Sequence, residues 1–154
     1  MYFDRARVVL IFLALLSLPF SALADVQITG MTDFNFGTWI SGTQNIENTG
    51  LCVCDDTGAT RYLVTGSGSG GGGAFEVSSG GGDTMEYRVF FQGGTGGFNR
   101  LFPGIQETRN NPSPLANCGG VPNAAMRIRF VNAVLNTAIP GNYSGTVTIL
   151  IEPF

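Results

Sequence analysis

Between residues 84 and 92 the chain sets Met85, Tyr87, Val89 and Phe91 on one side and Glu86, Arg88 and Phe90 on the other. A period of two sustained over nine residues fits a half-buried strand and rules out a helix. The device recurs at residues 125–131, where Met126, Ile128 and Phe130 alternate with Arg127 and Arg129. It recurs again at the end of the chain, where Val147, Ile149 and Ile151 alternate with Thr146, Thr148 and Leu150. Shorter runs at 51–54, 62–64 and 74–77 read the same way, and residues 26–28 and 34–36 read as one interrupted first strand closed by Gly37-Thr38-Trp39. Beyond the first 24 residues no window carries a helical period. Short strands separated by glycine-rich turns predict an all-β fold, an antiparallel sandwich or barrel.

The terminal strand adds a constraint of its own. It carries an apolar face and is followed by neither a turn nor a further strand. An open strand edge is a template for pairing with another chain. The expectation is therefore a sheet that accepts a strand from outside, which is an interaction function rather than a catalytic one.

The start of the chain reads as an export signal: Arg5 and Arg7, an apolar run from 8 to 18, and the small-x-small site Ala22-Leu23-Ala24. That run falls short of the ~20 residues a membrane helix needs. Cleavage after Ala24 leaves one domain, residues 25–154, carrying ten acidic groups and six basic ones, all arginine, for a net charge of −4. Such a balance disfavours nucleic acid and anionic membranes as partners. The outward arginines read as a solvated rim. The signal fits bacterial export through the periplasm.

In an oxidising compartment Cys52, Cys54 and Cys118 predict one disulfide and one spare thiol. Cys52 and Cys54 share a strand face, where a direct bridge would be strained. Cys118 with one of them is expected, Cys54 in preference to Cys52. The chain lacks histidine and lysine, which removes the usual general base, the Schiff-base amine and most zinc sites. No metal, cofactor or enzymatic activity is expected. Asp55-Asp56, Asp83 and Glu86 are the carboxylates a glycosidase would have to use, but Asp55-Asp56 sits in a turn-forming stretch. Gly66-Ser-Gly68-Ser-Gly70-Gly71 matches a dinucleotide-binding pattern by spacing but has no helix after it. It reads, with Gly80 to Gly82, as flexible length, and residues 98–121 read as a long strand-poor loop. Trp39 reads as core packing rather than a sugar platform.

Three patches together resemble the spore coat protein U family, the domain of archaic chaperone–usher pilus subunits. They are Asp33-Phe-Asn-Phe-Gly-Thr-Trp39, Val53-Cys54 ahead of Tyr62, and Pro140-Gly-Asn-Tyr-Ser-Gly-Thr-Val-Thr-Ile-Leu-Ile151. The resemblance implies an immunoglobulin-like sandwich lacking its last strand. A periplasmic chaperone, and then the next pilus subunit delivered through an outer-membrane usher, would fill the gap. The acceptor groove would be lined by Ile28, Phe34, Phe36, Val147, Ile149 and Ile151, with Met126 and Ile128 below. The family's first-strand cysteine is missing here, so Cys118 would substitute. Its alternating donor extension is missing too, which implies a tip or accessory subunit at the cell surface. The alternative is a self-sufficient secreted sandwich that binds a glycan or a surface through its loops.

Overall fold

The computed structural model describes residues 26–154; the expected export signal, residues 1–24, lies outside the described residues. The strands are β1 (Val26–Thr29), β2 (Gln44–Asp55), β3 (Arg61–Gly68), β4 (Glu76–Ser78) and β5 (Thr84–Glu86). They continue with β6 (Arg88–Gly93), β7 (Asn99–Leu101), β8 (Gln106–Asn110), β9 (Ala124–Phe130) and β10 (Val147–Pro153). One helical turn, α1 (Asn132–Leu135), follows β9. A five-stranded sheet runs β1-β2-β9-β6-β7, a three-stranded sheet runs β10-β3-β8, and β4 and β5 form a hairpin. Every ladder is antiparallel.

The inward residues of the two sheets make one core. Leu51 and Val53 of β2, Val89 and Phe91 of β6, and Met126, Ile128 and Phe130 of β9 pack with Tyr62 and Val64 of β3. Burying side chains of this size stabilises the fold by roughly 1.5–3 kcal/mol each. The fold is thus the expected all-β, immunoglobulin-like sandwich.

Several elements depart from the sequence reading. Residues 84–92 split at Tyr87, whose N–H donates to the Phe75 carbonyl (2.9 Å). The first part pairs with β4 and the second with β9 and β7. The pleat is kept, so Tyr87, Val89 and Phe91 all remain buried. Phe34 and Phe36 are not in a strand, because the chain leaves β1 at Gly30 (φ +83°), where a Cβ would collide with the Gly50 carbonyl. Asn48 holds the departing chain, its Nδ2 donating to the Gly30 carbonyl (3.0 Å) and to Thr32 Oγ1 (2.9 Å), beside a bulge between Asn48 and Leu51.

The glycine run is not flexible length. Gly66-Ser67-Gly68 belongs to β3 and pairs with Val147, Thr148 and Ile149. A Cβ on Gly68 would collide with the Ala74 carbonyl, and one on Gly66 would stand 3.0 Å from the Phe75 ring. Glycine here marks a close backbone approach. Residues 98–121, expected to be strand-poor, contain β7 and β8.

The disulfide joins Cys52, not Cys54, to Cys118 (Cα–Cα 5.7 Å), and Cys54 is the buried free thiol. The cause lies in how residues 113–123 dock on β2. Ser113 lies beside Cys54, its N–H donating to the Val53 carbonyl and its carbonyl accepting from the Asp55 N–H. Asn123 N–H donates to the Leu51 carbonyl, ten residues further on. The chain crosses between these contacts in a left-handed turn through Asn117, Cys118 and Gly119 (φ 50°, 53° and 59°), which delivers Cys118 to Cys52. Ser113 occupies the flank of Cys54.

Candidate functional site

A cleft of about 1060 Å³ lies between residues 31–39 on one side and 138–147 on the other. Its volume stands at the upper end of the roughly 300–1,000 Å³ range of small-molecule pockets. Its floor is apolar: Val77, Met85, Tyr87, Ile128, Phe130 and Leu135. Among the described residues, Asp33 is the one carboxylate on its lining, and no cation lines it.

Each wall follows from local chemistry. The 31–39 wall exists because the chain peels off β1 at Gly30. Asn35 Oδ1 then accepts from the Gly37 N–H (2.9 Å), and Trp39 Nε1 donates to the Gly42 carbonyl (2.9 Å). Phe36 stands edge-on to Phe130 with ring centroids 4.9 Å apart, the geometry favoured by aromatic quadrupoles. The 138–147 wall is tied by Tyr143, whose hydroxyl donates to the Ile139 carbonyl (2.8 Å), and by a reciprocal pair of backbone bonds between Ser144 and Ser78. On the floor, the Tyr87 hydroxyl donates to the Thr146 carbonyl (3.3 Å). Burial pushes the Tyr87 pKa up to about 12.

Beyond the cleft the wall continues as β10. This strand pairs with β3 from Val147↔Gly68 to Pro153↔Tyr62 and ends its sheet; among the described residues no strand is hydrogen-bonded to its other edge, although β1 approaches it. Val26, Ile28, Phe34, Phe36, Trp39, Val77, Met85, Val147, Ile149 and Ile151 pack against the core yet stay only partly buried. Apolar side chains left half-wet along one seam are what an unfilled strand position would look like, since covering them would add the burial term.

The eight expected groove residues fall into three groups. Phe34, Phe36, Ile128 and Val147 line the cleft. Ile28 on β1 and Ile149 and Ile151 on β10 flank the seam where β1 and β10 approach each other. Met126 is fully buried and belongs to the core. Tyr87, Phe130, Leu135 and the whole 138–146 wall also line the cleft, and none of them was expected there. Phe130 shares the parity of Met126 and Ile128, and Tyr87 that of Met85 and Val89, so periodicity did carry those two. Asp55, a carboxylate weighed for catalysis, is buried, and its Oδ1 accepts from the Thr57 N–H (2.8 Å) and hydroxyl. It holds a turn.

No family model matches the chain, and no curated protein matches it. Among solved structures it is similar to a chain from a structure described as a chaperone–tip adhesin complex vital for synergistic activation of CFA/I fimbriae biogenesis. The TM-score is 0.52 at 14% identity, and the match covers 84% of this chain. It covers 43% of the other, so this chain spans under half of that protein's length. At that identity the likeness speaks for the fold.

Proposed function

We propose that this chain is a secreted structural or adhesive subunit of a surface fibre, completed by a β-segment from another chain. The incoming segment pairs with the free edge of β10 and sends alternate apolar side chains into the cleft between residues 31–39 and 138–147. Main-chain hydrogen bonds then supply affinity, and the pockets over Ile128, Phe130 and Tyr87 supply register. The observation that carries this reading is the coincidence of an unpaired strand edge with a seam of half-buried apolar residues. The fold likeness to a component of a fimbrial chaperone–adhesin complex supports it.

On this reading the chain is exported through the periplasm and held there by a chaperone that lends the strand. It passes an outer-membrane usher, and the neighbouring subunit then takes the chaperone's place. The family likeness read from the sequence, to spore coat protein U domains, belongs to this proposal. So do the tip or accessory role and the absence of catalysis. The test is to fuse an alternating apolar peptide through a short linker after Phe154. Burial of three large side chains at roughly 1.5–3 kcal/mol each predicts a melting temperature raised by more than about 10 °C. An unchanged melting temperature contradicts the proposal.

A further inference from the structure

The outer face of the five-stranded sheet gathers most of the domain's positive charge. Four of the six arginines beyond residue 25 lie on it: Arg88 on β6, Arg100 on β7, and Arg127 and Arg129 on β9. The ladder register makes them neighbours. Asn45, Arg129 and Arg88 form one cross-strand row, and Glu47, Arg127, Phe90 and Arg100 form the next. Adjacent strands are about 4.8 Å apart, so the two rows make a compact cationic patch on a chain whose net charge is −3.

Only one of the four is neutralised. Arg127 pairs with Glu47 (2.7 Å) and lies over the Phe98 ring (4.0 Å). Arg100 lies over the exposed Phe102 ring (4.8 Å), which orients its guanidinium without cancelling its charge. Arg88 and Arg129 stand directly opposite each other, a like-charge pairing that destabilises a sheet. Arg129 Nε is buried without a hydrogen-bond partner. Among the described residues, no carboxylate pairs with Arg88, Arg100 or Arg129.

We infer that this face binds an acidic polysaccharide through its carboxylate or sulfate groups. A guanidinium presents a planar fork that matches such oxyanions two bonds at a time. Several forks a few ångströms apart suit a chain carrying one anion per sugar or two. The half-buried Phe90 and Phe98 and the exposed Phe102 supply flat apolar faces between the cations. The export signal read from the sequence takes the chain to a compartment where acidic polysaccharides, rather than nucleic acids, are the polyanions met. The site is separate from the cleft and does not depend on how the cleft is filled.

The test uses the purified, exported full-length protein. Heparin and polygalacturonate serve as sulfated and carboxylated probes, dextran as the neutral control, and a single-stranded oligonucleotide as competitor. Binding to either anionic polysaccharide but not to dextran is expected, falling as salt screens the contacts. Heparin alone identifies sulfate as the group recognised, and polygalacturonate alone identifies carboxylate. The double variant Arg88→Gln/Arg129→Gln weakens binding at least about tenfold, as expected for losing charge-assisted bonds. Glu47→Gln, which releases Arg127, tightens it about two- to threefold. Arg61→Gln, on the other sheet, leaves it within about twofold. Should the double variant fail to fold, the exposed Arg100→Gln carries the test alongside Glu47→Gln. Absence of binding to both polysaccharides, binding indifferent to these substitutions, or preference for the oligonucleotide overturns the inference.

Discussion

The two ends of β2 show how differently one strand can be finished. At its C-terminal end the sandwich is shut. Leu51 and Val53 are fully buried, Cys52 is bonded to Cys118, and Asn123 holds Val53 from both sides, Oδ1 accepting its N–H (2.8 Å) and Nδ2 donating to its carbonyl (2.9 Å). Tyr62 reaches so close to Gly93 that a Cβ there would collide with its hydroxyl. At the N-terminal end Gln44 and Ile46 are only half-buried, β1 has already left, and the cleft opens. The closed end is satisfied by its own chain, with backbone bonds, a covalent staple and a packed loop. The open end leaves apolar side chains only half-covered. Closure by the chain's own contacts is concentrated at one end, and the surface on which the proposed incoming segment would sit at the other.

The contrast is broken most severely by Phe91→Ala at the closed end. Removing a fully buried ring from a close-packed core costs about 3–5 kcal/mol, read from urea unfolding. Next comes the staple. Cys52→Ala opens a loop with a sequence separation of 66 and costs about 2–4 kcal/mol. Cys54→Ala stays below about 1 kcal/mol, within the range of mild substitutions. Equal losses for the two cysteine variants would refute the pairing described above.

A finer comparison uses Phe36, on the cleft wall. Alone, Phe36→Ala costs about 1–2 kcal/mol, since the ring is half-exposed to begin with; with a strand fused after Phe154 the loss rises toward the 3–5 kcal/mol of a buried aromatic. The same loss in both backgrounds would mean that the fused strand does not cover Phe36.

The smallest effect is one of pH. Burial raises the pKa of both Tyr62 and Tyr87 from 10.0 to about 12, an increase the nearby Arg109 charge opposes at Tyr62. Both hydroxyls keep their protons in the folded state at a pH where the unfolded chain has lost them. Their contribution to stability is therefore whole below pH 10 and declines as pH rises from about 10 to about 12. Unfolding midpoints across that window should fall, and Tyr62→Phe or Tyr87→Phe should flatten the slope. A fused strand that buries Tyr87 further should move its titration higher still, visible in the tyrosinate absorbance, and leave Tyr62 unmoved.

Much of the fold was legible because period-two patterning is a direct physical consequence of the pleat. Met126, Ile128 and Phe130, and likewise Val147, Ile149 and Ile151, point where their parity requires. Other features are set by contacts distant in sequence. Gly66 to Gly68 has the composition of a linker, and only the Ala74 carbonyl and the Phe75 ring reveal why side chains are excluded there. The edge strands β7 and β8 hide because Asn99-Arg-Leu101 buries one residue and Gln106-Glu-Thr-Arg-Asn110 buries Arg109 rather than a hydrophobe. Two cysteines on one face cannot be told apart until the docking of Ser113 and Asn123 is known. The cleft was half legible. Phe34, Phe36, Ile128 and Val147 were expected there from the family resemblance, whereas the 138–146 wall has no periodicity to read. The arginines were legible as outward but not as neighbours, since the ladder register sets which of them meet.

Amide hydrogen exchange resolved along the chain, with and without a strand fused after Phe154, tests the central claim most directly. In the unfused protein the β2 and β9 amides around Leu51, Val53 and Met126 should exchange slowest, and those of Val147–Pro153 should exchange far faster on the side facing away from β3. Fusion should slow β10 and leave the Cys52–Cys118 end unchanged. Equal protection of β10 and β2 in the unfused chain, with no response to the added strand, would contradict the account.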